Sequence, residues 1–181
     1  IQAGGLAQIT GSRLQLTKRG RTSPSAPVPE VIRVLWSTWL TPTIVDELSR
    51  IECVKGQTGK GKHGLTALAA RREPIAEALA ECPTMRWIAI DDLLRFLRAS
   101  GRDVSVTRDP WNLYGGELQY GSLGYDGGER ILQERYVLCF LLEYAATLGL
   151  IDVAYIRPAG ARPDYRTMWG TDDLPYFSRY D

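Results

Sequence analysis

The sequence predicts an α+β protein that is mainly helical and carries short β-hairpins. Three observations lead to this class. Apolar residues recur at helical spacing in several segments, and short alternating stretches lie beside Gly- and Pro-rich turns. The 181 residues are 44% apolar and 24% charged, which is typical of a globular chain rather than a disordered one.

The predicted elements follow in order along the chain. Residues 6–17 alternate around a Gly11-Ser12 turn and predict a hairpin. Helices are predicted over 28–40, 43–52, 65–81, 91–101 and 129–148, with Pro74 at a first helical position. Strands are predicted over 104–107, 150–156 and 165–169. The Gly-rich stretch 109–128 is predicted to be a long loop with the aromatic residues Trp111, Tyr114, Tyr120 and Tyr125. These residues are expected to fold back onto the core, and the alternative is that they stack on bases.

The residue counts exclude several classes of protein. The longest apolar run, Tyr136–Leu142, has seven residues, whereas a membrane-spanning helix needs about 20. One His and three Cys without a C-x-x-C pair do not supply a structural zinc site. We therefore expect no membrane contact, no metal and no cofactor, and the sparse cysteines favour a reducing cytoplasm.

Positive charge is concentrated in the first half of the chain. The total is near neutral, with 22 Lys and Arg against 21 Asp and Glu, but residues 1–90 carry a net +5 and residues 91–181 a net −4. Clusters of this kind can neutralise phosphates, which makes nucleic-acid binding plausible and dependent on salt. The alternative interpretation is a solvated basic surface.

One phrase near the C-terminal end joins a helix to a predicted hairpin. It is Glu143-Tyr-Ala-Ala-Thr-Leu-Gly-Leu-Ile-Asp-Val-Ala-Tyr-Ile156, followed by a turn with three arginines. This phrase resembles the winged helix-turn-helix family, in which a helix ending in Leu-Gly-Leu-Ile runs into the hairpin called the wing. An earlier phrase, Leu14-Gln-Leu-Thr-Lys-Arg-Gly20, is similar to the closing strand of such a wing.

The resemblance implies tandem winged-helix-like modules with short β-hairpin wings. Residues 1–21 would end a first unit, 22–29 would form a Pro/Ser linker, 30–85 a helical segment with a basic Gly/Lys loop, and 86–181 a second unit. A chain of this kind is expected to be a piece of a larger bacterial protein.

The expected function is double-stranded DNA binding without catalysis. The candidate phosphate contacts are Arg13, Lys18, Arg19, Arg21, Lys55, Lys60, Lys62, Arg71, Arg72, Arg157, Arg162 and Arg166. Helix 129–148 is apolar around much of its circumference and carries three Glu, unlike a helix that reads the major groove. The alternative function is therefore a module that binds a protein partner or a second copy of itself.

A second alternative is a degenerate P-loop. The stretch from Gly56 to Lys62 has the spacing G-x-x-x-x-G-K, and Asp91 follows a short apolar run. Such a loop cradles phosphates with its backbone amides, and Lys62 would reach the terminal ones. Against this hypothesis, His63 replaces the magnesium-binding hydroxyl, and the residues before Gly56 are predicted to be helical.

Overall fold

The computed structural model describes residues 1–125, 127–156 and 162–181, and the chain divides into two compact units, Ile1–Asp46 and Glu47–Asp181. About 45% of the chain is helical, and the described strands form two small antiparallel sheets. The prediction of a mainly helical α+β protein is confirmed. The division falls after Asp46, whereas the sequence suggests a linker at 22–29.

The first unit opens with the predicted hairpin. Strands β1 (Ala7–Thr10) and β2 (Arg13–Leu16) pair in antiparallel register, with Ile9 opposite Leu14 and Thr10 opposite Arg13. Gly11 takes a φ of +63° in the two-residue turn, a conformation that glycine adopts without steric cost. The sequence therefore specifies both the hairpin and its turn.

Helices follow the hairpin without an extended linker. Helix α1 (Lys18–Thr22) is capped by the Thr17 hydroxyl, which accepts a hydrogen bond from the Gly20 amide at 3.0 Å. A 3₁₀ turn (Ser23–Ser25) then leads into α2 (Val28–Trp39), which has a proline in its first turn. The prolines of 22–29 thus lie at helix starts, where the missing amide donor costs little.

The second unit contains the remaining regular elements. They are a 3₁₀ turn (Glu47–Arg50), β3 (Val54–Lys55), α3 (Gly59–Gly64), α4 (Leu68–Glu81), α5 (Ile90–Ala99), a 3₁₀ turn (Pro110–Asn112), β4 (Tyr114–Gly115), α6 (Gly128–Cys139) and a 3₁₀ turn (Asp164–Thr167). Strands β3 and β4 pair antiparallel, with Val54 opposite Gly115 and Lys55 opposite Tyr114. Helix α6 continues as a π-helical stretch (Phe140–Ala145).

Helix α6 lies in the core of this unit. Its residues Leu132 and Tyr136 are fully buried, and so is Phe140 in the π-helical stretch. The C-terminal residues also contribute, since Phe177 is fully buried and Ser178 nearly so. Burial of Phe177 was not anticipated, because residues 170–181 have no periodicity that marks a buried face.

Several predicted elements are different in the structure. Residues 43–52 form only the short 3₁₀ turn, and Pro74 lies inside α4 rather than at its start. Residues 151–156 are exposed or half-exposed, form no strand and make no backbone hydrogen bond to another described residue. The predicted return strand 165–169 contains the 3₁₀ turn Asp164–Thr167 instead. The second wing is therefore not found in the described part of the chain.

The helices within the described ranges are all too short or too polar to cross a bilayer.

Candidate nucleic-acid interface

Residues 55–64, here called the Gly/Lys segment, are fixed by close backbone packing. Gly56 has a φ of +87°, and a Cβ added there would lie 2.2 Å from the Asn112 carbonyl oxygen. A Cβ on Gly61 would lie 1.6 Å from the Gly56 carbonyl oxygen. The Gln57 side-chain amide donates to the Val54 carbonyl at 3.0 Å. The glycines therefore allow the segment to fold tightly on itself and on the turn Pro110–Asn112.

The cations of the Gly/Lys segment lie on its surface. Lys60 and Lys62 are exposed, and neither forms an ion pair with a described residue. The exposed Arg108 joins them, because its backbone amide donates to the Gly64 carbonyl at 2.8 Å. Arg108 was not predicted from the sequence, because this contact joins residues more than 40 positions apart. Lys55 is also exposed, and its ammonium donates to the Glu52 carbonyl at 3.2 Å.

Arg71 and Arg72 are not phosphate ligands, contrary to the prediction. Their exposed fractions are 1% and 0%. Arg71 donates to the Thr66 hydroxyl at 3.0 Å, and its guanidinium lies 5.6 Å from the centre of the Tyr136 ring. Arg72 forms a salt bridge to the fully buried Glu47 at 2.8 Å. Both arginines satisfy buried polar groups of the core, so they are not available to a ligand at the surface.

The basic residues of the first unit are all at its surface. Arg13 lies beside the hairpin turn, and Lys18, Arg19 and Arg21 lie on α1. Arg21 donates to the Leu16 carbonyl at 2.8 Å, which ties its guanidinium to the end of β2. None of the four has an ion-pair partner in the described part of the chain. They form a second group of cations, independent of the Gly/Lys segment.

The three arginines predicted for the second wing have different outcomes. Arg157 lies outside the described residues. Arg162 forms a salt bridge with Asp91, so its positive charge is compensated within the chain. Arg166 is exposed on the turn Asp164–Thr167.

The residues of the P-loop alternative, Gly56, Gly61, Lys62 and Asp91, lie in a different context from that of a nucleotide site. A strand, β3, does precede Gly56, so the helix predicted there is wrong. However, α3 has only six residues, and the space beside both glycines is filled by backbone carbonyls. The Asp91 carboxylate is engaged by Arg162.

Three aromatic side chains are exposed in the same unit as the Gly/Lys segment. Trp111, Tyr120 and Tyr125 are each more than half exposed, whereas the sequence suggests that they fold back onto the core. Trp111 belongs to the turn Pro110–Asn112, which contacts the Gly/Lys segment through Asn112. One exposed aromatic residue, Trp111, therefore lies on a turn whose backbone packs against the Gly/Lys segment.

Two ionic groups stabilise the second unit from inside. Glu47 contacts Arg72, and its other oxygen accepts a hydrogen bond from the Tyr136 hydroxyl at 2.5 Å. Arg135, the neighbour of Tyr136 on α6, is fully buried and pairs with Asp164 and Asp181. Burial opposes ionisation of Asp164, but the hydrogen bond and charge of Arg135 outweigh it and lower the pKa of this carboxyl.

The cysteines are not poised for nucleophilic chemistry. Burial raises the pKa of Cys139 to about 12, so its thiol is protonated at neutral pH. Burial also raises the pKa values of Cys53 and Cys82. In the described ranges, no three His, Cys, Asp or Glu side chains form a group that could hold a metal ion.

Comparison with known proteins gives no relative for this chain. No family model, no curated protein and no solved structure matches it.

Proposed function

We propose that this chain binds nucleic acid without catalysing a reaction, through phosphate contacts made by the Gly/Lys segment. One observation carries the proposal: Lys60, Lys62 and Arg108 are exposed cations without ion-pair partners among the described residues, on a backbone held rigid by glycine packing. Because the backbone that carries these cations is closely packed, phosphate binding has to order only their side chains, which limits the loss of conformational entropy.

The second group of cations supports the same function. Arg13, Lys18, Arg19 and Arg21 extend from a hairpin and the short helix behind it. This arrangement supports the winged-helix interpretation of residues 1–21, in which the wing contacts the DNA backbone. For residues 86–181 the interpretation has less support, because the described residues lack the predicted wing strands.

The protein-binding alternative was based on two surfaces, the apolar helix 129–148 and the acidic tail, and it has less support at the first. There it required the apolar residues of the helix to be exposed to a partner. Ile131, Leu132 and Val137 are buried instead, and they belong to the core of the second unit. Backbone binding to double-stranded DNA is the better supported function, in a cytoplasmic bacterial protein.

The test is to remove two of the proposed contacts and to measure the salt dependence of DNA binding. The double variant Lys60→Gln/Lys62→Gln should bind every duplex sequence more weakly. The slope of log K against log salt should fall in magnitude by about 2, because each phosphate contact contributes about 0.9. Fluorescence anisotropy with a labelled duplex over a range of salt concentrations provides both values.

The matched control removes two exposed positive charges elsewhere in the second unit. Arg86→Gln/Arg95→Gln has the same net charge as the test variant, and both arginines are exposed. The control should keep the salt slope of the original chain. If the two double variants lose affinity equally, the effect is one of net charge, and the Gly/Lys segment is not the interface.

A further inference from the structure

Two exposed aromatic side chains of the second unit are held together in a fixed arrangement. The Trp111 and Tyr125 rings, here called the aromatic pair, are 51% and 53% exposed. Their centres lie 4.6 Å apart with an edge-to-face angle of 84°. Edge-to-face contacts of this kind are favourable for aromatic rings, so each ring restricts the other.

The backbone fixes Trp111 further. A Cβ added to Gly124 would lie 2.4 Å from the indole Cδ2 atom, so the indole lies directly on this glycine. Ser122 joins the two sides, because its hydroxyl donates to the Trp111 carbonyl at 3.4 Å and accepts from the Gly124 amide at 3.3 Å. An indole that is half exposed and yet well supported is suited to contact a planar ligand.

A cleft with polar groups opens beside this arrangement. It encloses about 300 Å³ and is lined by Pro110, Leu123, Gly124, Gly127, Glu129, Arg130 and Gln133. Pro110 precedes Trp111, and Gly124 supports its ring, so two residues that line the cleft also hold Trp111 in place. Its volume is at the lower limit for ligand sites and is suited to one small planar group. Arg130 and Gln133 carry hydrogen-bond donors there, and in the free chain these donors contact Glu134 at 3.8 Å and Glu129 at 3.5 Å, long contacts that a base edge would have to replace.

The proposed phosphate contacts are on the same part of the unit. Arg108 precedes Trp111 by three residues, and the next residue, Asn112, contacts the Gly/Lys segment. A nucleic-acid strand whose phosphates lie along these cations would bring its bases to the aromatic pair. In a duplex the faces of the bases are occupied by stacking, so an exposed indole can stack only on an unpaired base.

From these observations we infer that the aromatic pair and its cleft bind an unpaired nucleobase. The base site then adds a preference for DNA with an unpaired base, in a single strand or at the end of a duplex, to the phosphate contacts that the proposed function makes with any duplex. This inference depends on the proposed function for its phosphate contacts. The base stacks on Trp111, while Arg130 and Gln133 form hydrogen bonds to its edge. Stacking alone does not distinguish between bases, so little sequence preference is expected.

The experiment separates contacts to bases from contacts to phosphates. Binding is measured to a single-stranded oligothymidylate and to an oligomer of the same length with abasic sites, which has the same phosphates but lacks the bases. The original chain should prefer the oligothymidylate. Trp111→Ala should weaken binding to the oligothymidylate by about 5- to 150-fold, the range for the loss of one base stack, and should leave abasic binding unchanged.

Two further variants keep the result interpretable. Trp111→Phe retains an aromatic face and should retain most of the preference, which controls for misfolding of the alanine variant. Trp87→Ala removes an exposed tryptophan from another part of the unit and should have no effect. A loss of preference in Trp87→Ala equal to that in Trp111→Ala would contradict a base site at the aromatic pair.

The possible outcomes distinguish this inference from the proposed function. If both oligomers bind equally well to the original chain, or if Trp111→Ala weakens them equally, the base site is wrong and phosphate binding stands. If no oligomer and no duplex binds at low salt, the proposed function is wrong, and the inference fails with it.

Discussion

The buried pair of Glu47 and Arg72 provides the most direct test of the corrected role of Arg72. Both side chains have no exposed area, and their charged atoms lie 2.8 Å apart. Removing one member of a buried pair leaves the other charge without compensation, which typically costs about 3–5 kcal/mol. Arg72→Met should therefore remove a large part of a stability that is only about 5–15 kcal/mol for a typical domain.

The double variant Glu47→Leu/Arg72→Met removes the whole ion pair, together with the acceptor of the Tyr136 hydroxyl. Replacing both charges with apolar groups of similar size removes the uncompensated charge, and such replacements are often close to neutral. The double variant should therefore lose less stability than either single variant. The exposed pair of Asp92 and Arg95, whose side chains are 56% and 71% exposed, is the control. Asp92→Asn should change the free energy of unfolding by less than about 0.5 kcal/mol.

Urea unfolding followed by circular dichroism measures these free energies, and DNA anisotropy on the same samples tests the original prediction. If Arg72 contacted phosphate, its substitution would lower DNA affinity and would leave the free energy of unfolding almost unchanged. A core role for Arg72 would be refuted if Arg72→Met costs less than about 1 kcal/mol, or if the losses of the two single variants simply add.

Two other predictions concern stability. Gly61→Ala places a Cβ 1.6 Å from a backbone oxygen. The overpacking should lower the free energy of unfolding by about 3 kcal/mol, and DNA affinity should fall as well. Gly101→Ala, with a φ of +69° and open space around it, should cost about 1 kcal/mol, so equal losses in the two variants would contradict the packing argument. The pKa of Asp164 is lowered in the folded state, so its contribution to stability is present above its ordinary value of 3.8 and is lost as the pH falls through the lower folded value. Asp164→Asn should therefore reduce the loss of stability that urea titrations detect below about pH 4, and an unchanged acid profile would contradict the assignment.

The elements that the sequence predicted well are those with a local signal. The hairpin around Gly11 and helices α2, α5 and α6 each show their periodicity within one continuous segment. The strand prediction for 150–156 used the same kind of signal and is wrong. β-Propensity expresses how well side chains fit a half-buried sheet, and no described strand is available there for pairing.

The error at Arg71 and Arg72 had a signal that could have prevented it. Leu68, Ile75 and Ala78 are buried on α4, and positions 71 and 72 fall between them on the same helical face. The prediction was based on the charge of the two arginines and not on the helical face that they occupy. Reading the face of the helix would have indicated burial, although the partner Glu47 could not be identified, because it lies 25 positions away.

The glycines of the Gly/Lys segment connect the nucleotide hypothesis to the proposed interface. In a P-loop, glycines leave room for a phosphate to approach the backbone. In this chain the same room is occupied by the carbonyl oxygens of Gly56 and Asn112. The glycines therefore bring the segment onto the turn that carries Trp111, and this close approach places Lys62 in the same part of the unit as Arg108 and the aromatic pair. The glycines whose spacing suggested a phosphate cradle instead hold together the surface on which we propose that a nucleic-acid strand lies.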